Sequence, residues 1–221
     1  MKITTDLFQE TIEIDEGEVV SLVIEDKKLH LELLKRINGQ MQGVDNGIIL
    51  SNKNEIIKFQ KVVDFFSVFP LPDINEKRIL SKLLGALEEE ALNEKNYSES
   101  MELLGQIERF IYNISDNISY NIDCSNSNIG TVLKSFGIHI VEDCESDLEQ
   151  ILSYMTIVNE LLGEKLFILV NMKLYFDDSD LALFSQMVET KKQYVLLIDG
   201  IEGNRINGIK QIVIDKDLCV F

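Results

Sequence analysis

Two short stretches, Leu166-Phe-Ile-Leu-Val170 and Tyr194-Val-Leu-Leu-Ile198, are apolar or aromatic at every position. A strand with one face in water alternates apolar and polar residues. A strand apolar throughout is buried on both faces, which is the habit of parallel sheets covered by helices on each side. Val19-Val-Ser-Leu-Val-Ile-Glu25 has nearly the same character. Helical spacing lies between and around these runs. Leu29, Leu33, Leu34 and Ile37 follow Asp26, a natural N-cap, and Asn38-Gly39 ends the pattern. Ser146-Asp-Leu-Glu149 reads as a capping box whose helix runs to Gly163, and Asp178 or Ser179 caps a helix to about Thr190. Strands alternating with helices place the chain in the α/β class, with a parallel or mixed sheet.

The remaining segments have a different texture. Glu10 to Asp15 alternates with period two, and Gly47-Ile-Ile-Leu-Ser51 is a further short strand. Ile56, Ile57, Val62, Val63, Phe65 and Phe66 predict a helix ending before Pro70. Asp73-Ile-Asn-Glu76 resembles a capping box opening a helix with Ile79, Leu80, Leu83, Leu84, Leu87 and Leu92. After the polar turn Asn93 to Ser98, Met101, Leu104, Ile107, Ile111, Ile114 and Ile118 mark another helix. These two form an expected hairpin, followed by a Ser- and Asn-rich loop and a short helix through Phe136. Gly137 to Val141 reads as a strand, and Ile209 to Phe221 as one or two edge strands. The expected organisation is an α/β head over 1–59 and 137–221, with a helical insertion over 60–136.

Composition narrows the function. Lys plus Arg is 21 against 38 Asp plus Glu, a formal net charge of −17 over 221 residues. Uniform acidity repels phosphates, so a nucleic-acid site has to be segregated on a local basic surface. The apolar fraction of 45% supports a real core and argues against disorder. No apolar run approaches the roughly 20 residues of a membrane helix, and the start lacks a signal-peptide h-region. Cys124, Cys144 and Cys219 are an odd, scattered set that suits free thiols in a reducing cytoplasm.

The strand ends LVN and LID look like the second half of a nucleotide-binding fold. The phosphate loop GxxxxGK[ST] and the dinucleotide fingerprint GxGxxG are both absent. Gly39, Gly43 and Gly47 lie in the nearest approach to a Gly-rich loop, and it lacks the Lys that reaches a phosphate. No nucleotide is therefore expected. His30 and His139 stand alone, and no GxSxG elbow exists. Asp199, Asp215 and Asp217 leave open a metal-dependent nuclease or degenerate nucleotidase, although turn and edge-strand positions suit them better. The acidic run Glu142, Asp143, Glu145, Asp147 and Glu149 has the carboxylates to attract a hard divalent cation, and helix N-terminal electrostatics is the simpler reading of it. Asp116 and Asp123 form a second, oxygen-rich patch with Asn and Ser. Lys53, Lys58, Lys61 and Lys134 belong to a basic set concentrated in the first two-thirds of the chain.

The ordered set TIEIDEG, VVSLVIED, a helix, a Gly-rich turn, a long helical insertion, LKSFGIHI (133–140), EKLFILVN, YVLLIDG and VIDKD (213–217) resembles the short form of the Csn-family adaptation protein of type II-A CRISPR systems. The stretch 73–95 carries the same resemblance. It implies an α/β fold with a mixed sheet, similar to P-loop (RecA-like) nucleotide-binding folds but without the phosphate loop, and with the helical hairpin inserted. It also implies a cytoplasmic protein that is not an enzyme. Such proteins form homotetrameric rings with a basic lumen, are stabilised by calcium, and bind double-stranded DNA at free ends. They act with the CRISPR integrase complex and the RNA-guided effector nuclease in spacer acquisition. By the same resemblance, Lys53, Lys58, Lys61, Lys134 and His139 occupy DNA-contacting positions. The family's calcium ligands fall in the stretch matching 113–125, where amides and Ser replace most acids and Asp116 and Asp123 remain. A pure protein-interaction scaffold with no DNA contact is the other reading.

Overall fold

The computed structural model describes residues 1–125, 127–217 and 219–220. In chain order the elements are β1 (Lys2–Thr5), β2 (Ile12–Glu13), β3 (Val19–Ile24), α1 (Lys27–Met41), β4 (Ile48–Asn52), β5 (Glu55–Ile56), α2 (Phe59–Val62) and β6 (Val63–Ser67). There follow α3 (Lys77–Ala91), α4 (Tyr97–Ser115), α5 (Ile129–Ser135), α6 (Asp147–Leu162), β7 (Leu166–Val170), α7 (Met172–Tyr175), α8 (Asp178–Lys191), β8 (Tyr194–Asp199) and β9 (Ile209–Ile214). The chain divides into two compact units, Met1–Asp73 with Glu142–Phe221, and Ile74–Val141.

The first unit is α/β. Its main sheet has five strands in the order β6-β7-β8-β3-β9, and every neighbouring pair is parallel. A separate antiparallel sheet has the order β2-β1-β4-β5. Period-two alternation assigns the two faces of the parallel sheet. Val20, Leu22, Ile24, Ile168, Val170, Leu196 and Ile198 share one core with Leu33 and Ile37 of α1 and with Ile3 and Leu50 of the small sheet. Val19, Val23, Phe167, Leu169, Val195 and Leu197 point the other way and are equally buried. On that side α8 packs on β3 and on α6, and Tyr154 of α6 meets Phe66 of β6 edge-on at 5.3 Å. Burying each such large side chain contributes roughly 1.5–3 kcal/mol, so both layers are needed.

Asp26 and Asp177 start the helices that cover the sheet. Asp26 accepts from the Lys28 and Leu29 amides at 3.0 and 2.7 Å. Asp177, rather than Asp178 or Ser179, caps α8, and Asp180 completes a reciprocal capping box. Ser146 accepts from the Glu149 amide at 3.2 Å, while Glu149 reaches the Glu145 amide instead of the cap's own.

Several expectations need correction. Residues 56–66 are not one helix: β5 and β6 flank a single turn, α2. Because β6 pairs with β7, residues 60–73 belong to the sheet unit rather than to the insertion expected to begin at 60. Gly137 to Val141 forms no strand and lies in the second unit, not in the head expected from 137. One side chain meets its backbone needs, since Asn75 donates to the Ile140 carbonyl at 3.0 Å and accepts from its amide at 2.8 Å. The box expected at Asp73 does not cap α3, which starts after Glu76; Glu76 binds Arg78 at 2.7 Å. The edge strand from Ile209 ends at Ile214, and an isolated bridge joins Ile214 to Val220. Leu218 and Phe221 of that expected region lie outside the described residues.

In the second unit the turn between α3 and α4 is held by side chains. Asn96 Nδ2 donates to the Glu90 carbonyl at 3.0 Å, and Ser100 Oγ to the Ala91 carbonyl at 2.8 Å. The packing partner of α3 is α5, which comes so close that a Cβ on Gly130 would sit 2.4 Å from Glu88 Oε2.

Candidate nucleic-acid interface

Lys53, Lys58 and Lys61 lie close in sequence within the first unit, and all three are at least partly open to solvent. Lys53 and Asn54 form the two-residue turn between β4 and β5, with φ of +48° and +66°. Positive φ at both central residues matches the twist of a hairpin and normally selects Asn or Gly. A lysine there is costly by roughly 1–2 kcal/mol, and it projects an ammonium from the hairpin tip. Lys58 is the N-cap of α2, and Lys61 lies in its single turn. Spaced three apart, they share a side of that turn. Buried Phe59 anchors α2 from the opposite direction, and the Lys165 ammonium donates to the Lys61 carbonyl.

Lys134 and His139 belong to the second unit. Lys134 is exposed in the last turn of α5, where a cation also suits the helix dipole. His139 is exposed, with Nδ1 3.2 Å from the Gly137 carbonyl. Among the described residues, none of these five basic groups has a carboxylate within ion-pair distance. The structure thus groups the first three along one stretch and leaves the other two on a separate unit.

The expected metal residues do not assemble a site within one chain. Among the described residues, no three His, Cys, Asp or Glu side chains come together as metal ligands. Asp116 is the C-cap of α4, and Asp123 accepts from the Tyr112 hydroxyl at 3.2 Å. The Tyr112 oxygen also accepts from the Cys124 amide, which favours phenolate; desolvation and Asp123 outweigh that pull, so the phenol is raised. Calcium takes six to eight oxygens, and two carboxylates, one of them already bonded to Tyr112, do not fit it.

The residues of the enzyme alternative are also separate. Asp215 accepts from the amides of Asp217 and Cys219, both at 2.8 Å, and so ties a turn. Asp199 is buried at the end of β8. The strand nearest in position to a phosphate-loop strand, β3, passes to α1 through Glu25 and Asp26 alone. Two residues cannot wrap a phosphate, and the Asp26 carboxylate already takes the helix N-terminal amides. Gly39, Gly43 and Gly47 fall at the end of α1 and before β4, after a helix rather than after a sheet strand.

The sequence does not announce an uncovered face of α4. Leu103, Ile107, Phe110 and Ile114 recur at spacings of three and four and are exposed, Phe110 to 63%. Ile118, Tyr120 and Ile122 extend the exposure beyond the helix. Leu104 on the other side is buried. The available signal is apolar residues on more than one face of the same helix. Among the described residues no helix is long and apolar enough to cross a membrane.

The sequence matches the family described as CRISPR-associated protein (Cas_Csn2) over residues 40–218. The crystal structure of Stu0660 of Streptococcus thermophilus superposes with a TM-score of 0.61 at 11% identity, covering 97% of this chain and 74% of that one. At that identity the likeness concerns the fold. A putative ABC transporter ATP-binding protein from Pyrococcus furiosus reaches a TM-score of only 0.38 at 14% identity, over 96% of this chain and 94% of that one. That value does not establish a shared fold. No curated protein sequence matches significantly.

Proposed function

The chain belongs to the Cas_Csn2 family of CRISPR-associated proteins, and from that premise we propose that it is a non-catalytic, sequence-independent binder of double-stranded DNA ends, working as a homotetrameric ring in spacer acquisition with the integrase complex and the effector nuclease. The observation that carries the assembly is the uncovered apolar face of α4. An exposed stripe of large apolar side chains at helical spacing is the surface by which one chain recognises another. Symmetric assembly repeats Lys53, Lys58 and Lys61 of each chain into a basic belt. Lysines act as point charges that track phosphates without reading bases. That suits a protein that accepts any duplex, and it reconciles DNA binding with a net charge of −17.

The basic belt consists of Lys53, Lys58 and Lys61 of the first unit; Lys134 and His139, on the second unit, are separate candidate contacts. His139 contributes less, because a neutral imidazole is a weaker phosphate partner than an ammonium. Calcium has no part in this reading, since Asp116 and Asp123 do not fit it within a chain.

A gel shift at fixed low salt tests the belt. The combined Lys53→Glu, Lys58→Glu and Lys61→Glu variant binds every duplex sequence at least about tenfold more weakly. Its salt slope falls by about one for each phosphate that is no longer neutralised. Lys134→Glu acts in the same direction and less strongly, and adding a chelator leaves binding unchanged. Wild-type affinity in the triple variant removes the belt. Absence of DNA binding in the wild type leaves the protein-interaction scaffold.

A further inference from the structure

The parallel sheet opens at its carboxyl edge on a cavity of about 430 Å3 beside Asn171, Lys173 and Asp199. β8 lies between β7 and β3, and the chain leaving β3 enters α1 on one face while α8 packs on the other. This is the place where a parallel sheet divides its connections and where ligands of such sheets lodge. The cavity is large enough for a small organic molecule.

Two buried groups of opposite charge line it without meeting. Asp199, only 3% exposed, accepts from the Lys173 amide through Oδ1 at 3.1 Å, while Oδ2 is buried and has no hydrogen-bond partner among the described residues. Lys173 Nζ is also buried without one among them. Its stem runs beneath Gly203, where an added Cβ would lie 3.5 Å from Lys173 Cδ. Buried polar atoms are normally satisfied, and unpaired charges are the most expensive exceptions. Here the two exceptions share one cavity. Burial pushes the Asp199 carboxyl up, and the Lys173 amide and ammonium pull it partly back. His30 is not the cation of the site, because burial lowers its pKa, its ring bonds the Ile24 backbone, and it packs against Gly200. Asp178 is already engaged by Asn204 at 2.8 Å. The remaining wall includes Leu174, Phe176 and Ile201.

We propose that this cleft binds a small organic anion that also carries a hydroxyl or amine. Its anionic oxygen accepts from Lys173 Nζ, its donor reaches Asp199 Oδ2, and its body lies along Leu174, Phe176 and Ile201. The neighbouring helix N-termini offer no cradle for a polyphosphate, since Asp26 and Asp177 occupy the amides of α1 and α8. A single anionic group is therefore the match. A nucleoside monophosphate and a free amino acid both supply this chemistry.

Calorimetric titration of the full-length protein with adenosine monophosphate, L-glutamate and inorganic phosphate separates these sources. One of the two organic probes binds saturably, one per chain. Phosphate alone binds more weakly, because it places no apolar body on the wall. Asp199→Asn and Lys173→Met each weaken the organic probe by at least about tenfold. Gly203→Val, whose Cβ would stand 3.8 Å from Lys173 Nζ and crowd the cleft around it, weakens it too, and far-UV circular dichroism checks that each variant is folded. Absence of saturable binding for both organic probes at millimolar concentration overturns the proposal, as does wild-type affinity in all three folded variants.

Discussion

The two units handle the same kind of residue in opposite ways. In the first, the large apolar side chains of β3, β7 and β8 are buried on both faces of the sheet by the chain's own helices and by the small antiparallel sheet. In the second, Ile79, Leu104 and Ile129 are buried, whereas Leu103, Ile107, Phe110 and Ile114 on α4 stand in solvent. Apolar residues in a folding unit supply stability, and an exposed row of them at helical spacing supplies association instead. The sheet unit thus covers its own apolar faces, and the helical unit leaves one apolar face of α4 exposed.

The sharpest way to break this contrast is to truncate equivalent side chains on both sides. Phe167→Ala empties a site that is fully buried and destabilises the chain by about 3–5 kcal/mol, read by urea denaturation. Phe110→Ala, on the exposed face of α4, leaves the urea midpoint nearly unmoved at dilution. If the two substitutions cost the same, the division between the covered sheet unit and the exposed face of α4 fails.

The next effect is on assembly. Phe110→Asp with Ile114→Asp places charges on the α4 stripe, and native mass falls to that of a single chain while circular dichroism stays that of the wild type. An unchanged oligomer moves the contact elsewhere on the molecule.

The smallest effect concerns Asp199, whose folded carboxyl titrates above its ordinary value of 3.8. The folded protein therefore holds this proton more tightly than the unfolded chain. Below 3.8 both states are protonated and the group carries no penalty. As pH rises from there through the folded value, the unfolded chain ionises first and stability falls. Asp199→Asn removes that loss, so the variant exceeds the wild type in stability at about pH 7 and matches it at about pH 3. A variant less stable than the wild type at neutral pH contradicts burial as the dominant influence on this group.

The α/β class is legible in the sequence because its signal is doubly determined. The runs at 166–170 and 194–198 have the composition of strands buried on both faces, and Asp26 and Ser146 announce two helices of the same unit. The segment 56–66 misleads because Ile56, Val62 and Phe66 fit helical spacing as well as they fit two short strands around a turn. What separates the alternatives is tertiary: the Lys53-Asn54 hairpin and the pairing of β6 with β7. Gly137 to Val141 has the composition of a strand, but the Asn75 side chain supplies hydrogen bonds that a neighbouring strand would otherwise provide.

The lysines can be named from sequence, yet their lack of ion-pair partners cannot, because pairing depends on which carboxylates the fold brings near. The same holds for Lys173 and Asp199, 26 residues apart and joined only through the edge of the sheet. The α4 stripe is visible as residues but reads as core, since periodicity identifies an apolar face without saying what covers it.

The most direct test of the account compares one duplex in linear and covalently closed forms, at the same low salt and protein concentration. A closed ring threads onto a free end and has no entry to a closed circle. The account predicts retention of the linear form alone, and equal retention of both forms would contradict it.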